Sequence, residues 1–186
     1  MQHSVGAGRA TQIFLLDTAD SPPTDDDEPT LTAAEAAARL RAGLPAVFGD
    51  RPVAVVIDPT LASKAAAGAR RIRIQGGGLF SELDVGQLLQ HEAFVHVATT
   101  INGLQQRHLP VLGSGHPGTT RTQEGLAVFA EFISGSMDPD RLRRLADRTI
   151  AIEMAIDGAD FLDVYRFFVE SSDAPAQAFE NARRVY

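Results

Sequence analysis

The chain has 186 residues, 44% of them apolar and 22% charged, which suits one domain able to bury a sizeable core and excludes wholesale disorder, collagen-like repeats and coiled coils. Its formal charge of −7 opposes phosphate backbones and anionic lipid, so no nucleic acid and no membrane is expected as a partner. No cysteine is present, which removes disulfides and thiolate chemistry and leaves His, Asp and Glu as the only candidate metal ligands.

Residues 1–30 read as a loose N-terminal segment and an acidic linker, and residues 31–186 as a single domain. Thr11 to Leu16 could form a short strand. Its apolar core, Ile13-Phe14-Leu15-Leu16, is too short for a signal peptide or a membrane span, so a cytoplasmic location is the default expectation. The four consecutive acids Asp25 to Glu28 lack the spaced ligands and central glycine of a calcium loop and read as solvated linker. Lys64 is the only lysine among 17 basic residues; that bias points to a GC-rich bacterial genome and carries no functional meaning.

Thr32 and Glu35 form a T-x-x-E capping box that opens an alanine-rich helix, stopped at Gly43 before Pro45. Pro52 to Ile57 reads as a buried strand, a short alanine-rich helical turn follows, and Arg71 to Gln75 alternates as a half-exposed strand does. Gly76-Gly77-Gly78 carries no phosphate-loop pattern and reads as a turn. Ser81 is the expected N-cap of a long, largely buried helix reaching about Ile101, with Asn102-Gly103 as its stop. A glycine-rich loop leads to a second helix from about Gln123 to Ile133. A third helix starts at Asp138-Pro139 and stops at Gly158, and Asp160 to Ser171 and Pro175 to Tyr186 complete a helical C-terminal half.

The buried helix carries His91-Glu92-Ala93-Phe94-Val95-His96. Unpaired polar groups in such a place cost on the order of 1–3 kcal/mol each, so the imidazoles need partners. Zinc binds neutral imidazole and carboxylate, and a catalytic site keeps three protein ligands. The helical motif H-E-x-x-H places its histidines about 40° apart around the axis, whereas the spacing here separates them by about 140° on a regular α-helix. One metal can reach both only if the helix absorbs a residue, most simply as a π-bulge. A wide turn between His91 and His96 is therefore predicted.

The third ligand should come from another helix. Glu124 shares a stripe with Val128 and Phe132, and a core-facing carboxylate calls for a cation beside it. Glu131 falls on nearly the same stripe and could accept the second N–H of a ligating imidazole. Blander readings stay open at this point. Either histidine could be a satisfied core residue, Glu124 could serve its helix N-terminus, and Glu131 could be ordinary surface. His108 and His116, in the loop, are expected to be exposed, and His3 to lie in a tail.

The stretch Leu89 to Val128, LLQHEAFVHVATTINGLQQRHLPVLGSGHPGTTRTQEGLAV, resembles bacterial proteins named for a QEGLA motif and linked to flavohemoglobin expression. They are similar to microtubule-associated tyrosine carboxypeptidases. The H-E-x-x-x-H, N-G-x-x-Q and T-Q-E-G-L-A segments occur in the same order, and the resemblance runs from Val53 to the C-terminus. It implies a zinc metallopeptidase, with His91, His96 and Glu124 as ligands and Glu92 as catalytic base. Two departures stand out. His108 and His116 replace apolar residues or proline, and the chain ends at Arg183-Arg184-Val185-Tyr186 where relatives continue, so it reads as truncated at the C-terminus.

The fold expected is α+β, with a mainly helical, gluzincin-like zinc-peptidase core and a small N-terminal sheet. The activity expected is that of a zinc-dependent carboxypeptidase acting on a peptide or protein C-terminus, with zinc-activated water attacking a peptide carbonyl. Glu92 would relay the proton. Tyr165, Arg121 and His116 are candidates to stabilise the oxyanion, and a further cation is needed for the terminal carboxylate. The rival reading is a non-catalytic zinc-containing binding or expression-modulating module; a third is a metal-free helical scaffold. The oligomeric state is left open.

Overall fold

A computed structural model describes residues 28–171 and 174–186. The strand expected at Thr11 to Leu16 and the segment before Glu28 lie outside the described residues. The chain divides into two compact units, Pro23–Asp138 and one containing Pro139–Tyr186. Among the described residues no helix is long and apolar enough to cross a membrane.

The first unit is a small sheet covered by helices. Helix α1 (Ala33–Gly43) opens with the expected capping box, in which Thr32 and Glu35 satisfy each other's backbone N–H groups. Its small residues Ala33, Ala36 and Ala37 are buried together with Leu40, so the helix lies close on the sheet, and Arg41 donates to the Val55 carbonyl at 2.8 Å. A single turn, α2 (Pro45–Phe48), follows. Strands β1 (Ala54–Asp58), β2 (Ala65–Gly68) and β3 (Arg71–Gln75) form a sheet of order β1-β3-β2. β1 runs parallel to β3, with Val55 opposite Ile72, and β2 runs antiparallel to it, with Ala67 opposite Ile72. Ile72 and Ile74 point into the core while Arg71 and Arg73 are exposed, which is the period-two alternation of a half-buried strand.

The alanine-rich stretch between β1 and β3 is strand β2 rather than the expected helical turn. Alanine's helix propensity is a weak preference, and here pairing with β3 outweighs it over the four residues Ala65–Gly68.

A continuous helical run then crosses the core. It consists of α3 (Glu82–Leu88), a π-helix (Leu89–Val97) and α4 (Ala98–Leu104). Ser81 caps it, reciprocally with Asp84, and Val85, Leu88, Ala93, Val97 and Ile101 join Ile72, Ile74 and Phe80 in one buried cluster. The run continues past the stop expected at Asn102-Gly103. Gly103 serves close packing instead, since a Cβ there would sit 2.0 Å from the Leu112 carbonyl oxygen. After a 3₁₀ turn (Pro110–Gly113) comes α5 (Pro117–Ile133), which begins well before the expected Gln123. His116 caps it, its Nδ1 accepting from the Gly118 N–H at 3.1 Å, and Pro117 occupies the first helical position, where its missing N–H costs nothing.

The second unit packs α6 (Pro139–Ile156), α7 (Phe161–Ser171) and α8 (Pro175–Arg183) around Ala151, Val164, Phe168, Ala178 and Ala182. Gly158 adopts φ +101° after α6, the left-handed conformation that favours glycine at a helix end. Asp160 then caps α7 by accepting from the Leu162 and Asp163 N–H groups.

Gly103→Ala should destabilise the protein by about 1–3 kcal/mol, because backbone cannot yield as a side chain does. Gly125→Ala, in the interior of α5 with nothing within 4 Å of its Cβ position, should stabilise by about 0.5–1 kcal/mol. Urea denaturation of the two variants measures both, and equal effects would contradict the packing assigned to Gly103.

Candidate metal centre

His91 and His96 share one face because the helix between them is a π-helix over Leu89–Val97. Its i→i+5 hydrogen bonding brings residues five apart into line, as their spacing predicted. The two rings stand edge to face with centroids 4.9 Å apart.

Helix α5 packs across the π-helix and supplies three more side chains. Gln123, Ala127 and Glu131, spaced four apart, form its inward stripe, with Ala127 and Glu131 fully buried. Glu124 stands at the margin of that stripe with its side chain 54% exposed. It therefore does not share a buried face with Phe132, which is itself exposed. Nor does it serve the helix N-terminus, since α5 starts seven residues earlier at Pro117.

Glu124 meets both imidazoles. Its Oε2 lies 3.5 Å from His91 Nε2 and its Oε1 lies 3.4 Å from His96 Nε2. Each imidazole is held from behind. His91 Nδ1 is 2.6 Å from Glu131 Oε1, and His96 Nδ1 is 3.2 Å from Gln123 Oε1. Both partners are acceptors, so both Nδ1 atoms carry hydrogen, and in neutral rings both Nε2 lone pairs face the Glu124 carboxylate. Lone pairs facing lone pairs call for a positive charge between them. A charge-assisted hydrogen bond would close to about 2.7–2.9 Å, shorter than either contact. Tetrahedral ligands at the zinc distances for N and O lie about 3.3–3.4 Å from one another, which is close to the spacing observed. One ligand atom from each of His91, His96 and Glu124 lies within 4.8 Å of the others, so this set could hold a single metal ion.

The electrostatics agree. Burial pushes the His91 imidazole down, but the Glu131 hydrogen bond and the charges of Glu92, Glu131 and Glu124 together raise its pKa above the ordinary value. The site thus favours a cation at this position, whether proton or metal, and the two compete.

The site opens on a cleft of about 530 Å³. His91, Glu92, His96 and Glu124 line it on one side, and β2 with the loop from Leu112 to Gly115 on the other. Glu92 therefore reaches the cleft beside the cluster. Two of the oxyanion candidates, His116 and Arg121, are not among the residues lining the cleft: His116 caps α5 and Arg121 is exposed. The third, Tyr165, belongs to the second unit, where it packs against that unit's apolar cluster. His108 is exposed, as expected. Among the described residues lining the cleft none is Arg or Lys, so the cation expected for a terminal carboxylate is not in this wall. Sequence reasoning missed Gln123. Its signal was available as the four-residue spacing Gln123, Ala127, Glu131, hidden because α5 was expected to begin only there.

Against this geometry stand the comparisons with known proteins. The sequence model of the family described as microtubule-associated tyrosine carboxypeptidase matches residues 3–186, and the chain belongs to that family. No curated protein and no solved structure was found to match it.

Removing either backing group should loosen an imidazole without touching the Nε2 cluster. Gln123→Ala is expected to weaken zinc affinity about 10–100-fold, measured by competition with a chromophoric chelator, while Leu126→Ala on the exposed face leaves it unchanged. Equal affinity in Gln123→Ala and wild type would show that the 3.2 Å contact plays no part in holding the ring.

Proposed function

We propose that this chain is a zinc-dependent metallopeptidase acting as a carboxypeptidase on a peptide or protein C-terminus. The observation that carries the reading is the convergence of His91 Nε2 and His96 Nε2 on the two oxygens of Glu124, with each Nδ1 held by a separate acceptor. His91, His96 and Glu124 would hold the zinc. When bound, the metal supplies Lewis acidity that polarises a carbonyl and acidifies water.

The chain's own residues supply the rest. Glu92 sits directly beside His91 in sequence and lines the cleft. Among the described residues its carboxylate has no ion pair or hydrogen-bond partner, so it is free to accept a proton. In this reading a Glu92 oxygen takes a proton from the attacking water as the water oxygen bonds to the peptide carbonyl carbon. The same oxygen returns the proton to the amide nitrogen as the C–N bond breaks, leaving a carboxylic acid and an amine, which settle as carboxylate and ammonium once the acid's proton passes to the amine. Glu131 and Gln123 keep the two imidazoles in one tautomer and orientation. Strand β2 ends the sheet on the cleft side, and the unpaired edge of such a strand can hydrogen-bond an extended peptide. Its cleft-lining residues Ala66, Ala67 and Gly68 leave room for substrate side chains.

One observation favours the second reading, a non-catalytic zinc-containing binding or expression-modulating module. Among the described residues lining the cleft there is no Arg or Lys, and neither Arg121 nor His116 is there. Glu92→Gln separates the readings. For the peptidase, turnover of a C-terminal peptide library by the zinc-loaded protein should fall about 10²–10⁴-fold with zinc stoichiometry unchanged. Binding or regulatory function that survives Glu92→Gln, with no peptide turnover in wild type, would establish the module instead.

A further inference from the structure

The second unit contains a cavity of about 240 Å³ bordered by α6, α7 and α8. Arg143, Arg144 and Arg148 of α6 line it, and Asn181 of α8 faces them. Two carboxylates share the wall, Asp140 and Asp147. Neither is paired with Arg144 or Arg148. Asp140 is engaged by Arg143 at 2.9 Å, and Asp147, whose carboxyl burial pushes up, makes no ion pair among the described residues.

Arg148 is the anomaly. It is half-buried, and among the described residues it has neither a carboxylate in ion-pair range nor a hydrogen-bond acceptor. Arg144 beside it has none either. A guanidinium carries five N–H donors, and removing it from water without a counter-ion is costly. Burial first, and then the charges of Arg184, Arg141 and Arg144, push the Arg148 guanidinium below its ordinary pKa. In a chain of net charge −7, positive charge is concentrated here against its own repulsion. Asn181 adds a donor, because its Oδ1 accepts from Gln177 Nε2 at 3.1 Å and leaves Nδ2 to turn elsewhere.

We propose that this cavity is an anion site, in which Arg148 and Arg144, with the Asn181 amide, bind a phosphoryl dianion. Two unpaired guanidiniums match two negative charges, and the planar fork of arginine suits phosphoryl oxygens. The volume holds such a group with a few waters, each taking about 30 Å³. The ligand is a phosphoryl group, either free phosphate or a phosphomonoester; a carboxylate monoanion would leave one guanidinium unpaired.

The test is calorimetric titration of the full-length, metal-free chain at constant ionic strength, with inorganic phosphate, O-phosphoserine and acetate as separate probes. Saturable phosphate or phosphoserine binding is expected, weakened at least tenfold in Arg148→Met and in Arg144→Ala, with no saturable acetate binding. The better of the two phosphoryl probes identifies the source. Arg144 is exposed, so its variant decides the matter if Arg148→Met fails to fold. No saturable phosphoryl binding, acetate binding of equal strength, or phosphate affinity unchanged in the variants would overturn the proposal.

Discussion

Residues five apart diverge on an α-helix, and everything at this site depends on how the helix resolves that divergence. The π-helix over Leu89–Val97 sets His91 and His96 on a common face, and only then can one residue of α5 reach both Nε2 atoms. The surrounding apolar residues hold the widened turn in place. Ala93 and Val97 are buried in the main core cluster, and Phe94 packs against it from the side. Burial of this helix therefore fixes both its depth and its rotation, and the histidines take the orientation that the apolar positions leave to them.

Polar groups so placed must be satisfied, and α5 does this with one stripe. Glu131, 1% exposed, is a buried carboxylate that would be costly without its 2.6 Å contact to His91. Gln123 plays the equivalent part for His96 with a neutral amide. One imidazole is thus backed by a charge and the other by a dipole, which makes the pair electrically unequal. Glu124, by contrast, remains half exposed at the cleft. Buried and rigid partners stand behind the rings, and the accessible carboxylate stands in front.

Much of this was legible in the sequence because it follows from spacing. The i, i+5 histidine pair required a wide turn, and capping residues Thr32 and Ser81 announced their helices. The β3 alternation gave its own burial. Other features are set by tertiary context that spacing does not carry. Ala65–Gly68 becomes a strand through pairing with β3. Pro117-Gly118 starts α5 because His116 caps it, so composition suggested loop where the chain is helix. Gly103 resembled a helix stop, yet it is kept small by the Leu112 carbonyl. The missing early turns of α5 also concealed Gln123. The oxyanion candidates Arg121 and His116 were chosen by residue type alone, and type does not say which wall a side chain joins.

The central claim is that His91, His96 and Glu124 form one metal site. Elemental analysis of zinc in the purified chain, beside His96→Ala and Glu124→Ala, tests it most directly. About one equivalent of zinc in wild type, lost from both variants, is the predicted result for a three-ligand site. No zinc in wild type even after zinc is added, or zinc retained in both variants, would contradict it.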